Sequence, residues 1–414
     1  MSSRNLKTHH LNWLDLPIEL WAAIAKKHAT SIHDYLTFRG VCNSWRSIAT
    51  FENFDSATPR VPWLMYASSD EKKEGKKKAD KNNAKKFTNL FDLSTNKAHK
   101  LINFSPTDRK RYLSCGGWIL CVSEGNGEVC LAHPVWRAKI ELPGLDTFPG
   151  DGGGDRFIRK MVLSGSPKSK VDDFVVMVIW GKLSKRLGFS RPGDKSWTVI
   201  DGGGSFSDII YHNGKLYAVD SDKTVVECDI LGPNPTHLRK VFSLPNSAAG
   251  VDALVASRAA RAAAPPPLVA DVIAGDGVDA DRLLLFLEQM CYLVESCGKF
   301  LIVIRHTMYR KTIWFEVFEF DLNDGSHKEI TQFDQWNKAM FLGFNSSVCV
   351  ELSEWNVVKP NCIYFTDDHS SKGAKHLDMG VFSLSSMLVT TRGLLDRSSD
   401  GAFLTPPTWV MPSF

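Results

Sequence analysis

The sequence predicts a small all-α N-terminal module followed by a large all-β domain, the latter a β-propeller of six blades with seven as the next count. Three observations lead there. The first 50 residues carry apolar residues at helical spacing, the chain from Val61 onward breaks into short β-rich runs separated by Gly, Asn, Asp and Pro, and one strand-opening pattern recurs at long intervals.

The helical elements come first, in "LDLPIELWAAIAKKHATSIHDYLTFRGVCNSWRSIA". Pro17 suits a first helical turn, where its missing N–H has no partner to lose, and Leu20 and Ile24 follow at i, i+4 on one face. Ser31 is placed to cap a second helix carrying Tyr35 and Phe38. Gly40 interrupts the pattern before Val41, Trp45 and Ile48 recur at helical spacing. A module of roughly 40 residues rarely buries enough apolar surface to fold unaided. Residues 11–50 therefore carry an apolar stripe that something else completes.

The β elements read as "VPWLMY", "FTNLFDLS", "GGWILCVS", "DDFVVMVIW", "SWTVID", "DIIYHNGKLYAVD", "FLIVIRH", "IWFEVFEFDLNDG" and "NCIYFTDD". Many short strands with turn signals between them fit a propeller, a sandwich or a barrel. Repetition favours the propeller: "CGGWILCV", "NGKLYAVD" and "CGKFLIVI" open strands alike, spaced by about two blades of roughly 40 to 50 residues each. A large sandwich is the alternative. The β domain spans residues 60–410 and contains two insertions. "SSDEKKEGKKKADKNNAKK", at 68–86, has no apolar residue larger than Ala and reads as a solvated loop, although its Lys76, Lys77 and Lys78 also have the form of a nuclear-import signal. The second, at 247–282, is rich in Ala with three successive prolines and reads as a disordered insertion on a blade loop, with a recruited helix at "ALVASRAARAA" as the alternative.

Composition excludes more than it names. A formal charge of +4, much of it in one lysine run, argues for no nucleic-acid-binding surface. No apolar run approaches the roughly 18 to 20 residues needed to span a bilayer, so no membrane segment is expected. Nine cysteines, an odd number, lie mostly in apolar runs, and "MSSRNLKTHH" lacks a signal-peptide core. Reduced thiols in cytoplasm or nucleus follow, most of them expected in the core, and the N-x-S matches at Asn103 and Asn345 are chance occurrences.

A search for catalysis returns absences: no G-x-x-x-x-G-K-[ST], no H-E-x-x-H, no G-x-S-x-G and no zinc-type C-x-x-C. "GDGGGD" and "DGGGS" lack the continuation into a helix that a phosphate cradle requires, and their aspartates would repel phosphate, so they read as turns. Asp367, Asp368 and His369, with His376 and Asp378 nearby, could be imagined as metal ligands. Adjacent side chains diverge, however, and a polar hairpin loop is the better reading. Trp63, Trp118, Trp136, Trp180, Trp197 and Trp314 read as strand packing rather than as platforms for sugars or bases. No cofactor, metal or catalytic residue is expected.

The positive signal is the N-terminal module. Leu16, Pro17, Glu19, Leu20, Ile24, Arg39, Val41, Cys42, Trp45 and Arg46 match the Leu-Pro-x-Glu-Leu, Ile and Arg-x-Val-Cys-x-x-Trp-Arg pattern of the F-box, which this segment resembles. His28, Ala29 and Tyr35 depart from that pattern, where leucines are usual. The remainder of the chain, from "VPWLMY" through "SCGGWILCV", "LAHPV", "IELPGL" and "YLVESCGKFLIVIR" to "NCIYFTDD", is similar to plant F-box proteins with a KIB-type β-propeller. The resemblance implies docking on a Skp-type adaptor, and through it on cullin and RING subunits, through Leu16, Pro17, Leu20, Ile24, Val41, Cys42 and Trp45. It further implies a substrate receptor of an SCF ubiquitin ligase, which holds a target lysine near the ubiquitin thioester and breaks no bond itself. The propeller would bind a target whose identity the sequence leaves open. The alternatives are a propeller hydrolase or glycan-binding protein that uses the F-box as a handle, or an F-box protein acting outside the ligase as a transcriptional or scaffold factor.

Overall fold

The computed structural model describes residues 16–28, 37–38, 40–48, 61–69, 86–93, 96–101, 104, 110–123, 125–134, 138–149, 157–167, 174–182, 184–202, 204–244, 287–330, 337–352, 358–368, 377–390 and 407–411. Two compact units divide between Arg60 and Val61.

In the N-terminal unit, helix α1 spans Ile18–His28 and α2 spans Asn43–Ile48. The Pro17 carbonyl accepts from the Leu20 and Trp21 amides at 3.1 and 3.3 Å, so the proline starts the helix, and Glu19 in the first turn complements the helix dipole. The apolar stripe differs from the expectation. Leu20 is 51% exposed and Ile24 half-buried, whereas Trp21 is buried. The reason is size: Trp45 lies 4.2 Å from Trp21 and 4.3 Å from Phe38, ring centre to ring centre, and these three rings take up most of a small interior. Ile48 is buried as well. Ser31 and Tyr35 lie outside the described residues.

The second unit is a six-bladed propeller. Its first sheet begins with β1 (Trp63–Ser69), β2 (Lys86–Asp92) and β3 (Lys97–Leu101). The second is β4 (Lys110–Cys115), β5 (Trp118–Ser123), β6 (Val129–Ala132) and β7 (Lys139–Leu142). The third is β8 (Ile158–Leu163), β9 (Val176–Trp180), β10 (Arg186–Ser190) and β11 (Thr198–Ile200). The fourth is β12 (Phe206–His212), β13 (Lys215–Asp220), β14 (Thr224–Cys228) and β15 (Arg239–Ser243). The fifth is β16 (Leu287–Ser296), β17 (Lys299–Met308), β18 (Lys311–Phe320) and β19 (His327–Glu329). The sixth holds β20 (Lys338–Leu342), β21 (Val348–Glu351), β22 (Cys362–Phe365), β23 (Gly380–Ser383) and β24 (Leu388–Thr390) in the order β21-β20-β22-β23-β24, with β20 and β22 parallel. Finally β25 (Thr408–Val410) pairs with β1, so the C-terminal end of the domain completes the sheet that its beginning started.

The leading strands of successive sheets are neighbours, β25 beside β4, β4 beside β8, β8 beside β12, β12 beside β16 and β16 beside β21, and Leu64 and Trp409 of the first sheet pack on Phe341 and Tyr364 of the sixth, which closes a ring and not a sandwich. Apolar clusters fill the gaps between sheets. One joins Leu120 and Leu131 of the second sheet to Val176 and Val178 of the third, and the next joins Met177 and Ile179 of the third to Leu216 and Ala218 of the fourth. Strand β9 is thus buried on both faces, which is why "VVMVIW" reads as an unbroken apolar run. Trp63, Trp118, Trp180, Trp197 and Trp314 are all buried in such layers, and Trp136 lies outside the described residues. Trp197 donates from its indole to the Pro143 carbonyl at 2.8 Å.

Of the expected insertions, 68–86 is shorter than the composition suggested, because β1 runs on to Ser69 and β2 begins at Lys86. The remainder, and all of 247–282, lie outside the described residues. The cysteines also differ from expectation: Cys228, Cys291 and Cys362 are buried, five are half-buried and Cys297 is exposed. A strand alternates its faces, so a cysteine in an apolar run can stand on either one.

Candidate functional site

Two features stand out from the scaffold, exposed apolar side chains on the helical module and a buried polar network inside the propeller. On the module, Ile18 is 56% exposed, Leu20 51% and Val41 54%, and Pro17 is exposed beside them in sequence. These are three of the six exposed large apolar side chains among the described residues. The other expected contact residues are less open. Leu16, Ile24 and Cys42 are half-buried, and Trp45 is half-buried against Trp21 and Phe38, with its amide 3.5 Å from the Cys42 sulfur. Sequence reasoning passed over Ile18 and Trp21. The signal for both was present: α1 has too few turns to bury every apolar residue, and the largest ring takes the interior.

The polar network was not foreseen. Lys160 on β8 and Asp208 on β12, both almost fully buried, form an ion pair at 2.8 Å. Lys160 also donates to the Gly343 carbonyl at 3.2 Å, and Asp208 accepts from the Leu293 amide at 2.9 Å, so the pair ties the third, fourth, fifth and sixth sheets together. Burial pushes the Asp208 carboxyl up, and Lys160 with the two backbone amides pulls it back.

Arg305 on β17 forms the second half. Its guanidinium donates to Tyr292 at 3.2 Å, to the Thr366 carbonyl at 2.9 Å, to Thr312 at 2.8 Å and to the Asp378 carboxylate at 2.8 Å. Tyr292 in turn donates to Asp368 at 2.6 Å. Burial alone would lower the Arg305 guanidinium, but Tyr292, Asp368 and Asp378 raise it. Burial and the neighbouring Asp368 carboxylate push the Tyr292 hydroxyl well above its usual range.

Asp367, Asp368 and Asp378 lie in the connection between the antiparallel strands β22 and β23, a polar hairpin loop as expected, and are buried members of this network. Their burial has a physical reason: Arg305 and Tyr292, more than 60 residues away in sequence, supply the donors that let carboxylates be buried. His369 and His376 lie outside the described residues. Among the described residues, no three His, Cys, Asp or Glu side chains stand close enough to hold a metal ion.

The propeller also has a groove of about 420 Å³, at the β12–β13, β16–β17 and β18–β19 turns. Its walls include Lys299, Glu319, Asp321 and His327, and at its floor His212 lies 3.2 Å from Glu295.

Taken together, the strand order and the division of the chain define a six-bladed propeller that carries a separate small helical module. The chain belongs to the KIB1-4 β-propeller family, whose model matches residues 90–383. Among its relatives, the F-box protein SKIP23 of Arabidopsis thaliana is 22% identical over 464 residues, covering 97% of this chain and 96% of its own. The Arabidopsis thaliana protein At5g55150 is 28% identical over 217 residues, 49% of this chain, and this chain spans only 52% of that relative's length. The arrangement is that of a plant F-box protein with a KIB-type propeller. Among solved structures, a chain from a nidogen–laminin complex matches with a TM-score of 0.38 and 9% identity, covering 85% of this chain and 99% of that one. Strand order, and not this likeness, defines the fold.

Proposed function

We propose that this chain is a substrate-recognition subunit of an SCF-type ubiquitin ligase, in which the helical module docks on a Skp-type adaptor and the propeller holds the target. The observation that carries the reading is the exposure of Ile18, Leu20 and Val41 on a unit whose interior is already filled by Trp21, Phe38 and Trp45. Each is about half exposed, so covering it contributes roughly 1 kcal/mol toward holding a partner. Catalysis by such a subunit is proximity, which asks for a rigid propeller and for no reactive group. The reading places the protein in cytoplasm or nucleus, where cullin ligases act.

The test is co-purification and calorimetric titration with a Skp-type adaptor. Leu20→Glu with Val41→Glu places two charges on the exposed face and leaves the module's interior untouched. Binding should fall by at least 100-fold while circular dichroism stays unchanged. Unaltered affinity of the double variant would overturn the proposal.

A further inference from the structure

Cys121 on β5 and Cys130 on β6 face each other directly in the antiparallel register. No other two cysteines among the described residues are register partners: Cys115 opposes Trp118, Cys228 opposes Leu216, Cys291 opposes Ile304 and Cys349 opposes Met340, while Cys362 lies between Ala339 and Ser383. Leu120, Val122, Val129 and Leu131 fill the core between the second and third sheets, and by strand alternation the two thiols stand on the opposite face. Both are half-buried, open enough for a small reagent. Cys121 Sγ donates to the Ile119 carbonyl at 3.8 Å. Tyr112 opposes Cys121 on one flank, and Glu141, itself 2.5 Å from Lys139, opposes Cys130 on the other.

Opposed residues of an antiparallel pair have Cβ atoms about 4.5 to 5.5 Å apart, and a disulfide needs about 3.5 to 4.5 Å. A small approach of the two strands brings the sulfurs to bonding distance. The strain that remains makes such a bond easy to reduce again.

We propose that Cys121 and Cys130 form a reversible dithiol–disulfide site whose oxidant is a low-molecular-weight disulfide of the oxidised-glutathione class. The two thiols have different roles. The neighbouring Cys121 thiol, with Lys139 and Lys110 nearby, holds the Cys130 thiol below the ordinary cysteine range, so it ionises first. The neighbouring Cys130 thiol and burial hold the Cys121 proton on. The Cys130 thiolate attacks one sulfur of the small disulfide, forming a mixed disulfide as the S–S bond breaks and the first glutathione thiolate leaves to take up a proton. Cys121 then gives its proton to solvent and attacks the Cys130 sulfur, expelling the second glutathione. The chain loses two electrons and two protons, and one glutathione disulfide becomes two thiols.

The experiment incubates the full-length protein with oxidised glutathione, blocks remaining thiols with iodoacetamide and maps the peptides by mass spectrometry. Wild type should yield a peptide pair linked through Cys121 and Cys130 that dithiothreitol separates. Cys121→Ser should instead retain one glutathione on Cys130, and Cys130→Ser should be modified at Cys121 at least ten-fold more slowly. Circular dichroism of both serine variants checks that they fold. If the exposed Cys297 takes up glutathione while Cys121 and Cys130 stay free in wild type, or if wild type keeps glutathione on Cys130 as Cys121→Ser does, the site is refuted.

Discussion

Arg305→Met is the perturbation that asks most of the propeller. The guanidinium is fully buried and donates to Thr312, Tyr292, the Thr366 carbonyl and Asp378, joining β16, β17 and β18 of the fifth sheet to the segments that flank β22 and β23 in the sixth. Methionine fills a similar volume but carries no donor, so Asp378 keeps its charge and its bonds from the Thr312 amide and hydroxyl while losing its cation. Breaking a buried ion pair by removing one partner costs about 3 to 5 kcal/mol, because the other charge stays buried. Adding Asp378→Asn removes that stranded charge, so the double variant should recover part of the loss, with a coupling of at least about 1 kcal/mol in a double-mutant cycle. Urea unfolding followed by tryptophan fluorescence measures all four proteins. A loss below about 1 kcal/mol in Arg305→Met, or strictly additive effects in the cycle, would refute the view that this network holds the fifth and sixth sheets together.

Three further outcomes are expected. Trp45→Ala should lower the stability of the helical module by roughly 3 kcal/mol, since its ring stacks on Phe38 and Trp21, and should weaken adaptor binding through that loss. Changing Lys76, Lys77 and Lys78 to Ser should leave adaptor affinity unchanged at physiological salt, and calorimetry with thermal melts of both variants separates the two effects. His133, buried edge-on to Trp118, has its imidazole depressed by burial to about 4 from a usual 6.5. Above pH 6.5 both states are neutral and the full contribution is present. As pH falls from 6.5 to 4 the unfolded chain takes up a proton that the fold refuses, so about 3 kcal/mol is lost across that window and no more below it. His133→Phe should remove that slope from urea midpoints measured between pH 4 and 7, and an unchanged slope would assign the acid sensitivity elsewhere.

How much was legible depends on the range of each interaction. The double-sided apolar run of β9 and the small-Gly openings of β5, β13 and β17 are local patterns, so strand content could be read directly and six blades preferred, with seven blades and a sandwich left as alternatives. The motif of the helical module was legible for the same reason, as Leu16 to Trp45 lie within one short segment. Which side of that motif faces outward was not. Leu20 and Trp45 both look apolar in sequence, and only competition for a small interior sends the ring inward and leaves the leucine exposed.

Sequence alone determined that the chain has a helical module too small for its apolar content and a β domain with far more strands than one sheet can hold. Tertiary structure decided the rest. Asp368 and Asp378 read as polar loop residues and Asp208 as the start of a strand, and nothing marks any of the three as buried until Tyr292, Arg305 and Lys160 are brought beside them. Likewise the closing strand β25 has no meaning before β1, more than 300 residues earlier, lies alongside it. Burial of a charge and closure of a ring both depend on partners distant in the chain, and local propensity carries no record of them.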